Sequence, residues 1–448
     1  LPGRLIATLE AWVMDDALVA TDDGFALRDE RTLGDLPRLG VTPDEELARL
    51  YEAWWACRRL NQPRKGARLA RQRARLVARL GLPDTDRRRS EALFQEITSG
   101  YEAVGRPTRV AKARELARLA ERHGWTDLEA LGRTQLGMVL LDRAEDGEEG
   151  MAQLERGAAL GAMSATLMAQ GNALTNLGAQ LAGRGRLDEA GARFREAEAL
   201  GRDVVPGESD WDARVRSGVL HSALVGRAWL ALHQETPEAA IAHAEEAVAV
   251  APSGAVEGMN MLGMILSTVG RTDEAITWRE RALASIREQG LRIAEGILLH
   301  YLADDYMALG RRDEARTALM RALETFRDRD ATDTTIRVRL ARLALEEQAW
   351  DEADAILDEV DDDRPIHVLL VALHRLTASI GRGLDSRSVA TALDHAEEHF
   401  AVHAVTDIHV QAATEAVADQ LTARGAPPEL IARVRDFVER QRRTLARP

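Results

Sequence analysis

The chain has a single cysteine, Cys57, so neither an internal disulfide framework nor a thiolate metal cluster can be built from it. Aromatic residues make up only 4% of the sequence, and strand-forming side chains are scarce beside Ala, Leu, Arg and Glu, which excludes a sheet-dominated fold. No run of about 18 apolar residues occurs, so no membrane span is expected. Lysine is nearly missing: Lys65 and Lys112 are the only two among the 59 basic residues. With a net charge of −14, the molecule as a whole is not expected to coat nucleic acid. There is no GxxxxGK[ST] loop, no GxSxG elbow and no kinase motif set, so an enzyme is not expected and no cofactor is implied. A signal-peptide layout is also missing, and the chain starts at Leu1 rather than Met. It is therefore expected to be a segment of a longer, cytoplasmic protein.

What the sequence does have is a repeated phrase. Leu262-Gly263 leads to Gly270-Arg271-Thr272-Asp273-Glu274-Ala275 and then Arg281-Ala282-Leu283. About 40 residues later, Leu302-Ala303 leads to Gly310-Arg311-Arg312-Asp313-Glu314-Ala315 and Arg321-Ala322-Leu323. An earlier copy runs Leu177-Gly178, Gly185-Arg186-Leu187-Asp188-Glu189-Ala190, Phe194 and Ala197, and a later one Leu340-Ala341, Ala344, Ala353, Leu357 and Val360. Weaker copies surround Gly137 and Ala228. A small residue on the first helix of each pair lets the second approach, and the alanine pair on the second accepts the next unit. Such periodicity predicts stacked helical hairpins that share a lengthening core rather than one central domain.

These residues resemble the tetratricopeptide repeat, over about nine-tenths of the chain, in the long-period form found in bacterial STAND ATPases, regulators and multidomain kinases. Arg279 departs from the pattern, standing where the family places Phe. The resemblance implies an all-α fold, a right-handed superhelix (an α-solenoid) of about nine or ten hairpins. Residues 41–425 are assigned to the repeats and 426–448 to a capping helix from Glu429 to about Leu445, after the break Gly425-Ala426-Pro427-Pro428. Residues 1–40 differ. Apolar residues at helical spacing from Leu5 to Val13 precede two short apolar runs around Thr21-Asp22-Asp23-Gly24, an Asp-Gly hairpin signal. This stretch reads as a winged-helix-like piece or an N-terminal cap.

In such repeats the first helix of each pair lines the concave surface. Its inner positions lie six, three and two before the small landmark residue and one after it. Counting from Gly178 gives Asn172, Thr175, Asn176 and Ala179; from Gly263, Glu257, Asn260, Met261 and Met264. From Ala303 the count gives Ile297, His300, Tyr301 and Asp304. Arg339 and Arg342 follow from Ala341, Gln135 and Met138 from Gly137, and Trp229 from Ala228. Amides suit a peptide backbone, methionine and aromatic rings suit apolar side chains, and arginine suits carboxylates.

Two further clusters carry charge. Arg64, Arg68, Arg71, Arg75 and Arg79 fall three or four apart and form a cationic stripe on one helix, suited to an acidic protein surface or to phosphate. His395-Ala396-Glu397-Glu398-His399 matches H-x-x-E-H, but His395 and His399 alone cannot complete a zinc shell, and His403 lies one turn too far. They are a weak metal candidate.

The expectation is a non-enzymatic sensor or scaffold arm of a larger bacterial signalling or regulatory protein. It would bind a protein or peptide in the groove and contact other domains of the same protein at its N-terminal end. A static assembly platform is the alternative, with nucleic-acid contact through Arg64–Arg79 behind it.

Overall fold

The computed structural model describes residues 18–21, 24–27, 42–59, 63–99, 105–141, 146–204, 207–251, 255–289, 291–326, 332–360, 365–403 and 408–445. Among them are one β-hairpin and twenty helices, or ten helix pairs. Strands β1 (Leu18–Thr21) and β2 (Gly24–Leu27) pair antiparallel, with Leu18 opposite Leu27 and Thr21 opposite Gly24. The helix expected over Leu5–Val13, and the winged-helix reading that depends on it, lie outside the described residues.

The chain forms two compact units, Leu1–Ile265 with Glu288–Gly290, and Leu266–Arg287 with Leu291–Pro448. The first unit contains α1 (Pro43–Arg59), α2 (Pro63–Leu80), α3 (Arg87–Ser99), α4 (Arg106–His123), α5 (Thr126–Leu140), α6 (Gly147–Met163), α7 (Leu167–Gly183), α8 (Leu187–Arg202), α9 (Asp210–Gln234) and α10 (Pro237–Val250), with most of α11 (Val256–Thr268). From α1 to α10 each helix packs on the next, and α3 also packs on α5, α5 on α7, and α7 on α9. The odd-numbered helices α3, α5, α7 and α9 thus form one layer and the even-numbered ones back it. Between the layers lie buried clusters, one around Leu116, Ala120 and Leu131 and another around Leu154, Leu177 and Phe194.

The second unit contains most of α12 (Thr272–Gln289), then α13 (Arg292–Ala308), α14 (Arg312–Phe326), α15 (Thr332–Glu346), α16 (Trp350–Asp358), α17 (Pro365–Gly381), α18 (Ser386–His403), α19 (Ile408–Ala423) and α20 (Pro428–Leu445). Here α15 packs on α17, α17 on α19, and α18 on α20. Leu373, Val417 and Phe437 are fully buried within one of its cores.

The repeated phrase acts at the hairpin turns. Gly185 takes a left-handed φ of 74°, its N–H donates to Ala182 O, and the Arg186 N–H reaches back to Leu181 O. That closes α7, because only glycine adopts this backbone without steric cost. Arg186 then forks the Glu189 carboxylate with two bonds of 2.7 Å, and Arg271 does the same to Glu274. Arg311 repeats the fork on Glu314. Each glutamate sits in the first turn of the following helix, where unpaired N–H groups favour negative charge. The guanidinium hydrogen bonds hold all three carboxyls below their usual range.

In the fourth copy Gln348 stands where the others have glycine, and it still takes a φ of 61°. A side chain in the left-handed region costs about 1–2 kcal/mol, part of which glycine returns as greater unfolded-state entropy. Gln348→Gly is therefore expected to stabilise the second unit by about 0.5–1 kcal/mol. An upward shift of the urea midpoint would register this; an unchanged midpoint would mean that the turn carries no net strain.

Candidate functional site

The landmark glycines explain how a cavity forms in the first unit. Phe194 of α8 is 3% exposed and packs where a Cβ on Gly178 of α7 would stand 2.8 Å from its ring. A Cβ on Gly226 of α9 would stand 2.3 Å away. The ring is thus seated between two helices that lack side chains at the contact. Its neighbour Glu198 accepts hydrogen bonds from Arg202 and from Arg227 of α9. Burial works against its charge, but the two guanidinium bonds outweigh it and hold the carboxyl below its usual range. This ion pair fastens α8 to α9 beside the ring.

Above Phe194 opens a cavity of about 470 Å³, within the range of ligand pockets. Helix α7 lines it with Asn172, Thr175, Asn176 and Ala179; α9 with Ser222, Val225, Gly226 and Trp229; α11 with Glu257 and Met261. The Thr175 hydroxyl is turned back to Gly171 O at 2.9 Å, and Asn176 Nδ2 donates to Asn172 O at 2.7 Å. Among the described residues the Asn172 amide and the Asn176 Oδ1 have no hydrogen-bond partner, so they are open to a ligand. The Trp229 indole stacks on His233 at 3.9 Å, and the His233 Nδ1–H donates to Trp229 O. His221 donates from Nδ1 to Ala247 O at 2.8 Å and turns Nε2 toward Glu257, 3.9 Å away.

The structure brings seven of the counted inner residues, Asn172, Thr175, Asn176, Ala179, Trp229, Glu257 and Met261, around this cavity. Ser222, Val225 and Gly226 were not singled out, although the count that yields Asn172 from Gly178 yields them from Ala228. Gln135 and Met138 on α5 are half-buried, and Met138 packs against the Leu154 cluster instead of lining the cavity. Asn260 and Met264 are half-buried on α11, and the Asn260 Oδ1 is enclosed without a partner among the described residues.

The second unit treats its inner positions differently. His300 is buried, 8% exposed, and tilts against Tyr301 at 4.1 Å. Asp304 and Arg339 form a forked ion pair between α13 and α15, with bonds of 2.9 Å. Arg342 pairs with Glu346 at 3.1 Å. Here, then, packing covers His300, and Asp304 and Arg339 face each other across the pair of helices. Tyr301 remains partly exposed. Arg279, the departure from the repeat pattern, is 4% exposed and is neutralised by Asp305, itself 3% exposed, which also accepts from Ser267.

On α2, Arg71, Arg75 and Arg79 are exposed and Arg68 is half-buried, while the Arg64 side chain lies outside the described residues. Arg73, among them in sequence, is buried. It bonds to Glu91 at 2.9 Å and Gln95 at 3.1 Å, with its guanidinium 4.8 Å from the Tyr51 ring. Burial lowers its pKa from the ordinary value against the pull of Glu91. On α18, His395 and Glu398 are exposed, His399 is half-buried, and Glu397 is held by Arg433 and Arg440. Among the described residues no group of three or more His, Cys, Asp or Glu is placed to hold a metal ion. No described helix is long and apolar enough to cross a membrane.

The tetratricopeptide repeat family model matches residues 255–328. No curated protein matches the sequence. Among solved structures, a Rap protein complexed with competence and sporulation factor is 13% identical, with 81% of this chain and 99% of that one covered at a TM-score of 0.53. The apo form of RapI is 13% identical over 89% and 98% of the two chains, with a TM-score of 0.51. A STAND protein with a tetratricopeptide repeat sensor from Pyrococcus horikoshii is 11% identical, at a TM-score of 0.52. There 82% of this chain is covered, but the chain spans only about half (53%) of that protein. At these identities the likeness is one of fold: stacked helical hairpins of the tetratricopeptide kind.

Proposed function

We propose that this chain, a carrier of tetratricopeptide repeats over residues 255–328, is a non-enzymatic peptide- or protein-binding arm of a larger bacterial signalling or regulatory protein. Its ligand is an extended segment laid across α7, α9 and α11. The observation that carries this reading is the cavity itself. Three successive odd-numbered helices each contribute side chains to it, and the two asparagines face it one helical turn apart with open hydrogen-bonding capacity. An amide can both donate and accept, as a peptide backbone demands, and Trp229, Val225 and Met261 take the apolar parts of the ligand. The Rap structure with its bound factor and the STAND protein with its repeat sensor support the reading by analogy of fold.

Hairpins in such a stack are coupled through their shared interfaces, so a ligand held by three helices favours one arrangement of them over another. That bias is the signal the arm would pass to neighbouring domains. The test is a selection of random displayed peptides on the chain and on an Asn172→Ala, Asn176→Ala, Trp229→Ala, Met261→Ala variant of matched helicity. Peptides enriched on the first and lost on the second are the expected result. Equal enrichment on both would move the binding surface away from the cavity.

A further inference from the structure

We infer that the cavity reads a basic side chain on its peptide, arginine ahead of lysine; the inference rests on the peptide-binding reading above. Among the described residues that line the cavity, Glu257 is the only carboxylate and there is no lysine or arginine. Its side chain is 73% exposed, so water solvates the charge while the cavity is empty. Its nearest partner among the described residues is His221, whose Nδ1 is held by Ala247 O and whose Nε2 stands 3.9 Å from the carboxylate, beyond hydrogen-bond distance.

A ligand that fills this space strips water from Glu257. An apolar or anionic group leaves the carboxylate buried without compensation, whereas a cation replaces the lost solvation. The other walls suit the same guest. Trp229 is held in one orientation by its stack on His233 and offers a π surface to a cation. Met261 and Val225 supply an apolar path for the side-chain stem. Guanidinium is favoured over ammonium because its plane both stacks on an indole and forks a carboxylate. Asn172 and Asn176, on the opposite helix, are left to hold the flanking backbone.

The probes are three fluorescently labelled, capped peptide mixtures with randomised flanks, whose central residue is arginine, its neutral isostere citrulline, or glutamate. Anisotropy titration of the intact chain is expected to rank arginine about tenfold tighter than citrulline, with glutamate weaker still. Glu257→Gln should bring the arginine-to-citrulline ratio to about one. Equal affinity of the arginine and citrulline mixtures for the unaltered chain would overturn the charge inference and leave the peptide groove standing. Failure of all three mixtures to bind would overturn the groove reading as well. Arginine preference that survives Glu257→Gln would place the cation elsewhere and overturn the assignment to this cavity.

Discussion

Truncation of Asp305 to alanine is expected to destabilise the second unit by about 3–5 kcal/mol, an effect large enough to unfold it locally. Arg279 and Asp305 are both almost fully buried, and their ion pair joins α12 to α13. Removing the carboxylate leaves a guanidinium inside the core with no anion, and a lost pair costs more in that way than its formation ever contributed. Ser267 also loses the acceptor of its hydroxyl. The comparison that isolates the mechanism is a double change, Asp305→Leu with Arg279→Met, which removes both charges and keeps apolar volume. It is expected to recover most of the loss. Chemical denaturation with hydrogen exchange over residues 272–308 would read both variants. A double variant as unstable as Asp305→Ala would show that the loss comes from packing volume and not from stranded charge.

The second large effect is at Phe194. Phe194→Ala is expected to cost about 3–5 kcal/mol, because the buried ring fills the space between α7 and α9 where Gly178 and Gly226 have no side chain of their own. The same change enlarges the cavity that Phe194 lines, so peptide binding should weaken even at temperatures where the fold survives. The converse substitution tests the same contact from the other side. A Cβ at Gly226 would stand 2.3 Å from the ring, and Gly226→Ala is expected to cost about 1–3 kcal/mol by overpacking. Combined with Phe194→Leu it should cost less than the sum of the two single changes, since the smaller side chain vacates the space the new methyl needs. Strict additivity would mean that the two residues do not share this contact.

Both predictions concern one position of the repeat, four residues after the first alanine of the second helix. Phe194, Arg279, Leu319 and Leu357 occupy it, and all four are buried. The sequence marks Arg279 as a departure but cannot say how its charge is met. The answer lies 26 residues away, on the next inner helix, where Asp305 has no spacing relation that would single it out. Arg73 makes the same point on α2. It lies in sequence among the arginines of the cationic stripe, yet its place on the helical wheel turns it inward to Glu91 and Gln95.

For the candidate site, legibility follows the strength of the landmark. Around Leu177-Gly178 and Leu262-Gly263 the count from the small residue reached positions that line the cavity. On α9 the landmark is Ala228 without the preceding leucine-glycine phrase, and only Trp229 drew attention. Ser222, Val225 and Gly226 were available from the same count. In the second unit the count is equally regular, but Asp304 meets Arg339 across neighbouring repeats and His300 is packed away.

The sequence by itself determined the helices, the turns that separate them and the small residues where they touch. These depend on spacings within one or two helices, and 3.6-residue periodicity, left-handed glycines and alanine contacts are local properties written directly in the chain. Only the tertiary structure decided which inner positions open onto a cavity and which neutralise one another. That outcome depends on how closely helices from successive repeats approach, and the approach is set by side chains tens of residues apart. The glycines at 178 and 226 receive one phenylalanine and leave space above it, whereas the same layer in the second unit closes on its own ion pairs.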